Sequence, residues 1–164
     1  MTRDLPSSNA LRLKAVPPYD FLLTVRKPAG WSLLTPFEIF EENTLWTAMR
    51  WRSEEMFGLK LRSVGTVEKP IVLCELFSNE KLSAEEREGL SDTIAWTLSL
   101  NEDLTAFYSL AKSDPLLAAL VKDLYGMRRT KRPDIFPTLV LAMTLQMAPI
   151  RRTYQMWDLM IKNY

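Results

Sequence analysis

Two kinds of side chain that carry much of enzyme chemistry are scarce in this sequence. Among its 164 residues there is no histidine and a single cysteine, Cys74. Without histidine, imidazole general acid–base catalysis, Ser-His-Asp triads and most zinc sites are excluded. A single cysteine excludes a disulfide framework within the chain, and the apolar surroundings of Cys74 predict a buried, unreactive thiol. We therefore expect neither a metal ion nor a cofactor.

Glycine and long apolar runs are also scarce. None of the five glycines is close to another, so there is no GxGxxG or GxxxxGK[ST] phosphate-binding loop. No apolar run reaches the roughly 20 residues of a membrane span, and the start MTRDLPSSNA lacks the apolar segment of an export signal. These features predict a cytoplasmic protein without a membrane partner, associated with the nucleoid if the source is prokaryotic.

Charge is balanced in number but uneven in placement, with 21 basic and 20 acidic residues. Acidic residues gather over 85–88 and 102–103, away from the basic ones. The basic residues form two clusters, one on each side of an apolar helix. A single basic cluster is typical of a solvated surface, whereas two clusters that flank one helix favour a nucleic-acid partner. These clusters are formed by Arg128, Arg129, Lys131 and Arg132, and by Arg151 and Arg152.

The first half of the chain has the alternation of strands and the second half the spacing of helices. Ser83 and Glu86 have the spacing of a capping box, and Ser113 or Asp114 suits the N-cap of a helix with Pro115 at its first position. Strands are predicted over 10–16, 19–26, 45–52, 57–62 and 71–77, a turn over 27–30 and a short helical piece over 36–42. Helices are predicted over 83–100, 104–111 and from Pro115 to a C-cap at Gly126.

The last stretch, from Pro133 to Tyr164, predicts two helices separated at Pro149. The first is apolar on every side and is therefore predicted to be a buried central helix. Together these patterns predict an α+β fold. It consists of a small antiparallel sheet with helices over 1–100 and an incomplete all-helical bundle over 101–164.

Three polar residues near this break admit two interpretations each. Gln146 is either bonded to its own helix end or projects as a functional side chain. Arg151 and Arg152 oppose the helix dipole in the first turn of the last helix. They are either solvated or face an anion that the free N–H groups of the helix also attract.

The order of several short motifs resembles the helix-hairpin-helix DNA glycosylases, in the branch that includes the 8-oxoguanine and 3-methyladenine enzymes. Each motif is weakly specific, and their succession along almost the whole chain carries the resemblance. The motifs are the helical pattern LNEDLTAFYSLAKSDPLLAAL, Gly126 with Arg128, Pro133 with Phe136, Leu145-Gln146, and Ile150-Arg151-Arg152.

The resemblance implies an N-terminal domain like half of a TATA-binding protein, followed by the first part of a glycosylase helical domain. It implies base-excision repair of double-stranded DNA, in which an oxidised or alkylated base is flipped out and hydrolysed from its sugar. Gln146 would then fill the vacated space. Met147 stands where family members often have a second glutamine or an asparagine. The residues expected to contact DNA are Gln146, Met147, Arg151, Arg152, Arg128 and Arg129.

The catalytic parts of that family are missing from this sequence. They are a hairpin with a Gly-x-Gly turn and a later aspartate, yet no glycine follows Gly126 here. We therefore expect no catalytic residue in the chain. Either it is the N-terminal part of a DNA glycosylase whose hairpin comes from a second chain or a downstream segment, or it is a non-catalytic module that binds DNA or a protein.

Overall fold

The computed structural model describes residues 7–26, 38–51, 55–78, 81–131, 135–146 and 148–163. Within these ranges the protein has the predicted α+β fold, with a five-stranded antiparallel sheet and six helices. None of the helices described there is long and apolar enough to cross a lipid bilayer.

The strands precede most of the helices, and the sheet order is β1-β5-β4-β3-β2 with every neighbouring pair antiparallel. The strands are β1 (Ser7–Lys14), β2 (Ile39–Glu41), β3 (Thr44–Trp51), β4 (Glu55–Ser63) and β5 (Ile71–Phe77). The helices are α1 (Phe21–Arg26), α2 (Ala84–Thr97), α3 (Thr105–Ala111), α4 (Pro115–Asp123), α5 (Ile135–Leu145) and α6 (Ile150–Asn163).

One face of the sheet forms the core together with α1 and α2. Cys74 on strand β5 is fully buried between Leu11 of β1 and Leu61 of β4, its partners in register. Leu90 and Ile94 of α2 belong to the same buried cluster. Burial raises the pKa of the Cys74 thiol to about 12, which confirms the predicted buried and unreactive cysteine.

Two local predictions in the first half are wrong. The predicted strand at 19–26 contains helix α1, because the side chain of Asp20 accepts a hydrogen bond from Leu23 N–H at 2.9 Å and stabilises a helical turn. The predicted helical piece at 36–42 contains strand β2, which turns into β3 through Glu42 and Asn43. Both turn residues have positive φ, as a two-residue hairpin loop of type I′ requires. Residues 27–37 and Arg52 lie outside the described part of the chain.

The predicted helix starts in the second half are confirmed. Ser83 N–H donates to Glu86 Oε2 at 2.7 Å while Glu86 N–H donates to Ser83 Oγ at 3.2 Å, which completes the capping box. Asp114, rather than Ser113, caps α4. The C-cap of α4 is Leu124, so the C-cap predicted at Gly126 is displaced by two residues.

Helix α5 is not the buried central helix that its composition predicts. Ile135 and Phe136 are each 73% exposed, and Leu139 and Met143 are exposed as well. The helix packs mainly against α6. An apolar pattern shows that a helix needs to be covered, but the pattern does not show whether the cover belongs to the same chain.

A loop after α4, residues 126–131, returns to the first half of the chain. Asp20 N–H donates to Gly126 O at 2.7 Å, Ser99 Oγ donates to Arg129 O at 2.7 Å, and Lys131 N–H donates to Thr97 O at 2.7 Å. These bonds connect the loop to the start of α1 and the end of α2. The division of the chain at residue 100 remains a proposal, and this loop joins its two parts.

Replacing Gly126 by alanine tests how strongly the loop depends on its backbone conformation. Gly126 has a φ of +83°, and an added Cβ would lie 2.7 Å from Asp20 N. The strain and the clash with backbone atoms predict a loss of about 2 kcal/mol or more in the free energy of unfolding. Urea unfolding measures this change, with the exposed Lys122→Ala as a control expected to change stability by less than about 0.5 kcal/mol. Equal midpoints for the two variants would contradict the prediction.

Candidate nucleic-acid interface

The candidate interface lies where α5 turns into α6. Helix α5 ends at Leu145, and Gln146 N–H still donates to Met143 O at 3.3 Å. Pro149 then starts a new helix, since its carbonyl accepts the N–H groups of Arg152 at 2.9 Å and Thr153 at 3.2 Å. We call residues 144–153 the α5–α6 corner.

A buried hydrogen bond fixes the corner. Thr153 is fully buried, and its Oγ1 donates to Thr144 O at 2.9 Å. That carbonyl is one of the last four of α5, which have no partner within their own helix. The bond therefore ties the first turn of α6 to the end of α5 and sets the direction in which the corner projects.

Sequence reasoning missed the role of Thr153, although a signal was present. Thr153 lies three residues after Ile150 and four before Trp157, on the apolar side of α6. A hydroxyl at such a position needs a partner, and the free carbonyl groups at a nearby helix end are the natural ones.

Three of the predicted DNA-binding residues come together at the corner and reach solvent. Gln146, Arg151 and Arg152 are all exposed. The side-chain amide of Gln146 has no hydrogen-bond partner within the described ranges, so the alternative in which it bonds to its own helix end is not what the structure shows. The only carboxylate described on α6, that of Asp158, is paired with Lys162 Nζ at 2.6 Å. The corner therefore carries two exposed guanidinium groups and an exposed side-chain amide.

The first basic cluster is arranged differently. Arg128 is only 3% exposed; its N–H donates to Thr24 Oγ1 at 3.0 Å and its Nη2 donates to Glu102 O at 3.3 Å. Lys131 is paired with Glu102 and lies over the ring of Trp96.

Among the described basic residues of this loop, Arg129 is the exposed one. Arg132 and Met147 lie outside the described residues. Arg128 is thus not on the surface where a phosphate contact was expected. Binding of DNA remains a prediction for all six residues.

The guanidinium of Arg128 is buried, and its hydrogen-bonding groups are incompletely paired. Its Nε and Nη1 atoms have no partner within the described part of the chain, and neither has the Tyr19 hydroxyl. Burial raises the pKa of Tyr19 well above its ordinary value, while the positive charge of Arg128 acts in the opposite direction. Tyr19 is therefore neutral, and Arg128 joins the loop to the interior through its hydrogen bonds to Thr24 and Glu102.

Replacing Thr153 by valine tests the buried bond that fixes the corner. Valine keeps the shape but leaves the Thr144 carbonyl without its donor, so we expect a loss of about 1 kcal/mol in the free energy of unfolding. Thr153→Ser keeps the hydroxyl and should recover stability apart from the missing methyl group. Urea unfolding compares each variant with the wild type, and a valine variant as stable as the wild type would contradict this role.

Comparison with known proteins supports a relationship with DNA glycosylases. No known protein-family profile matches the chain. A segment of the chain is 38% identical over 65 residues to the DNA-3-methyladenine glycosylase of Bacillus subtilis (strain 168). The match covers 38% of this chain and 22% of that protein, so most of the relative's length has no counterpart in the match. The likeness does not distinguish between branches of glycosylases.

Proposed function

We propose that this protein acts in base-excision repair as part of a DNA glycosylase that flips an oxidised or alkylated base out of duplex DNA for excision. The observation that carries the proposal is the α5–α6 corner, where Gln146, Arg151 and Arg152 are all exposed and the Gln146 amide has no hydrogen-bond partner among the described residues. The partial identity with a 3-methyladenine glycosylase supports the same proposal.

Base flipping explains why an amide at this position is useful. Extruding a nucleotide costs a few kcal/mol of stacking and pairing, and a side chain that fills the space offsets part of that cost. Gln146 has the reach and the hydrogen-bonding groups for this task. Because Thr153 ties α6 to the end of α5, the amide projects from a rigid support and not from a free loop.

Arg151 and Arg152 would bind the phosphate backbone of the DNA at the same place. Guanidinium groups bind phosphate with two parallel hydrogen bonds, and the first N–H groups of α6 lie at the positive end of its dipole. An anion at this place also offsets the repulsion between the two arginines and the helix dipole. Such contacts position the protein on DNA without reading its sequence.

We assign no catalytic residue to this chain. The sequence has no Gly-x-Gly hairpin after Gly126, and its last carboxylate side chain, Asp158, is engaged with Lys162. Excision would use a hairpin and an aspartate from a second chain or a downstream segment. In support, the described helices expose many large apolar side chains that such a body would cover. They include Leu110, Leu116, Leu120, Ile135, Phe136, Leu139, Met143, Ile150 and Leu159.

The second candidate function is a non-catalytic module that binds DNA or a protein, in which the exposed Arg151 and Arg152 hold phosphate and no base is flipped. The two candidates differ in one property that is measurable without turnover. A flipping protein prefers duplex that is already unstacked at a lesion or abasic site, because part of the unstacking cost is then absent. A module that only holds phosphates binds damaged and undamaged duplex equally.

The two arginines of the corner are expected to dominate the salt dependence of DNA binding there. Replacing Arg151 and Arg152 together by alanine should lower the slope of log Kobs against log salt concentration by about 0.9 for each phosphate that is no longer bound. Fluorescence anisotropy of a labelled duplex over a salt series gives the slope. The pair Lys112→Ala and Lys122→Ala, also exposed and basic, should leave it unchanged; equal slopes in both double variants would return the arginines to a solvated role.

Gln146→Ala is expected to separate lesion preference from stability. Since the side chain is exposed and has no hydrogen-bond partner within the described ranges, the free energy of unfolding should change by less than about 0.5 kcal/mol. Binding to undamaged duplex should be retained, while the preference for a duplex with an abasic-site analogue should fall by about tenfold, or about 1.4 kcal/mol. Competition anisotropy measures the preference. A wild-type protein without any preference would instead support the non-catalytic module.

A further inference from the structure

The face of the sheet that points away from α1 and α2 has its own chemical character. Successive side chains of a strand point to opposite faces, so the buried positions Leu11, Leu59 and Leu61 identify which residues share the other face. We call this second face the open face. The basic residues described on this face are Arg12, Lys14, Arg50, Lys60 and Arg62. The apolar Leu73 lies on β5, opposite Arg12 and Arg62.

Basic residues outnumber acidic ones on the open face, where the described carboxylates are Glu41 at the β2 edge and Glu75 on β5. Arg12, Lys14, Arg50 and Arg62 are exposed, and no carboxylate in the described ranges pairs with any of them. A fifth basic residue, Lys60, is neutralised by Glu75 at 3.0 Å. The whole chain carries a net charge of only +1, so this face concentrates charge that is balanced elsewhere. Such a concentration favours an anionic partner.

The spacing of the charges suits a partner that carries charge at regular intervals. Arg12 and Arg62 both stand opposite Leu73 in the sheet register, on the two strands that flank β5. They are therefore about 10 Å apart, and Lys14 follows Arg12 by about 7 Å along β1. Half-buried Leu73 and Ile71 lie between these side chains. The result is a broad basic surface and not a pocket for one small anion.

The aromatic side chains of this face are already engaged. The ring of Trp46 packs against Phe77 at 6.1 Å between centroids, and Lys60 Nζ lies 5.3 Å from the centre of the Trp46 ring. Phe77 is buried and the Trp46 ring contacts Phe77 and Lys60, so charge is the main feature that this face offers to a partner.

We infer that the open face of the sheet is a second nucleic-acid surface, in which Arg12, Lys14 and Arg62 bind the phosphate backbone of duplex DNA. The choice of DNA as the polyanion rests on the proposed function. The surface itself rests on the sheet register and on the unpaired charges. Because it uses other elements than the α5–α6 corner, the protein would grip a segment of DNA that the corner does not hold.

The test is a triple variant, Arg12→Ala, Lys14→Ala and Arg62→Ala, compared with the triple variant Lys81→Ala, Lys112→Ala and Lys122→Ala. The control removes the same charge from exposed positions outside the sheet. Anisotropy of a short undamaged duplex over a sodium chloride series gives the slope of log Kobs against log salt. We expect the slope to fall in the sheet variant by about 0.9 for each phosphate that is no longer bound, and to stay unchanged in the control.

A second variant, Arg12→Lys with Arg62→Lys, keeps the charge and should keep most of the wild-type slope. Circular dichroism and thermal melting of the sheet variant, the control variant and this lysine variant should match the wild type. Such a match excludes misfolding as the cause of a changed slope. A sheet variant that keeps the wild-type slope overturns the inference. Binding to phosphatidylserine vesicles tests an anionic lipid surface as the alternative partner. A sheet variant that no longer binds these vesicles while its binding to duplex is unchanged also overturns the inference.

The outcome separates this inference from the proposed function. If the sheet variant keeps its slope while Arg151→Ala with Arg152→Ala flattens it, the sheet surface is refuted and the corner stands. If only the sheet variant flattens the slope, the sheet surface stands and the corner has no role in holding DNA. If neither does so, both are refuted.

Discussion

Burial of a single face of the sheet under α1 and α2 is the constraint on which the rest of the structure depends. Phe21 and Val25 of α1 and Leu90 and Ile94 of α2 enter the same core as strand β5. Once both helices lie on that face, the loop at 126–131 has fixed hydrogen-bonding partners at the start of α1 and the end of α2. The other face of the sheet is left to solvent and to charged side chains.

The largely local features of this fold could be predicted from the sequence. Alternation located β1, β3, β4 and β5, and capping chemistry located the starts of α2 and α4. The failure at α1 has a physical reason, because the apolar positions Phe21 and Val25 fit a helix as well as a strand. Asp20, which caps the helix, decides between them. Strand β2 escapes prediction since Glu42, which is not glycine, adopts positive φ in its turn.

The candidate site shows the same division between local and distant effects. The exposure of Gln146, Arg151 and Arg152 follows from a break at Pro149 that is visible in the sequence. The burial of Arg128 depends on Thr24, 104 residues earlier in the chain, and no pattern around Arg128 contains that information. The prediction for helix α5 fails for a related reason. Its composition describes the environment it needs, whereas the described chain covers one side of it with α6 and leaves Phe136 exposed.

Cys74 gives this molecule a built-in reporter of its own opening. It is the one thiol in the sequence, it is fully buried on strand β5, and its pKa of about 12 keeps it protonated at neutral pH. A thiol reagent can react with it only after β5 has separated from the layer formed by α1 and α2. The labelling rate therefore measures how often the core opens, independently of the helices α3–α6 that expose their apolar side chains. Bound DNA or a covering partner would slow that rate only to the extent that it stabilises the sheet itself.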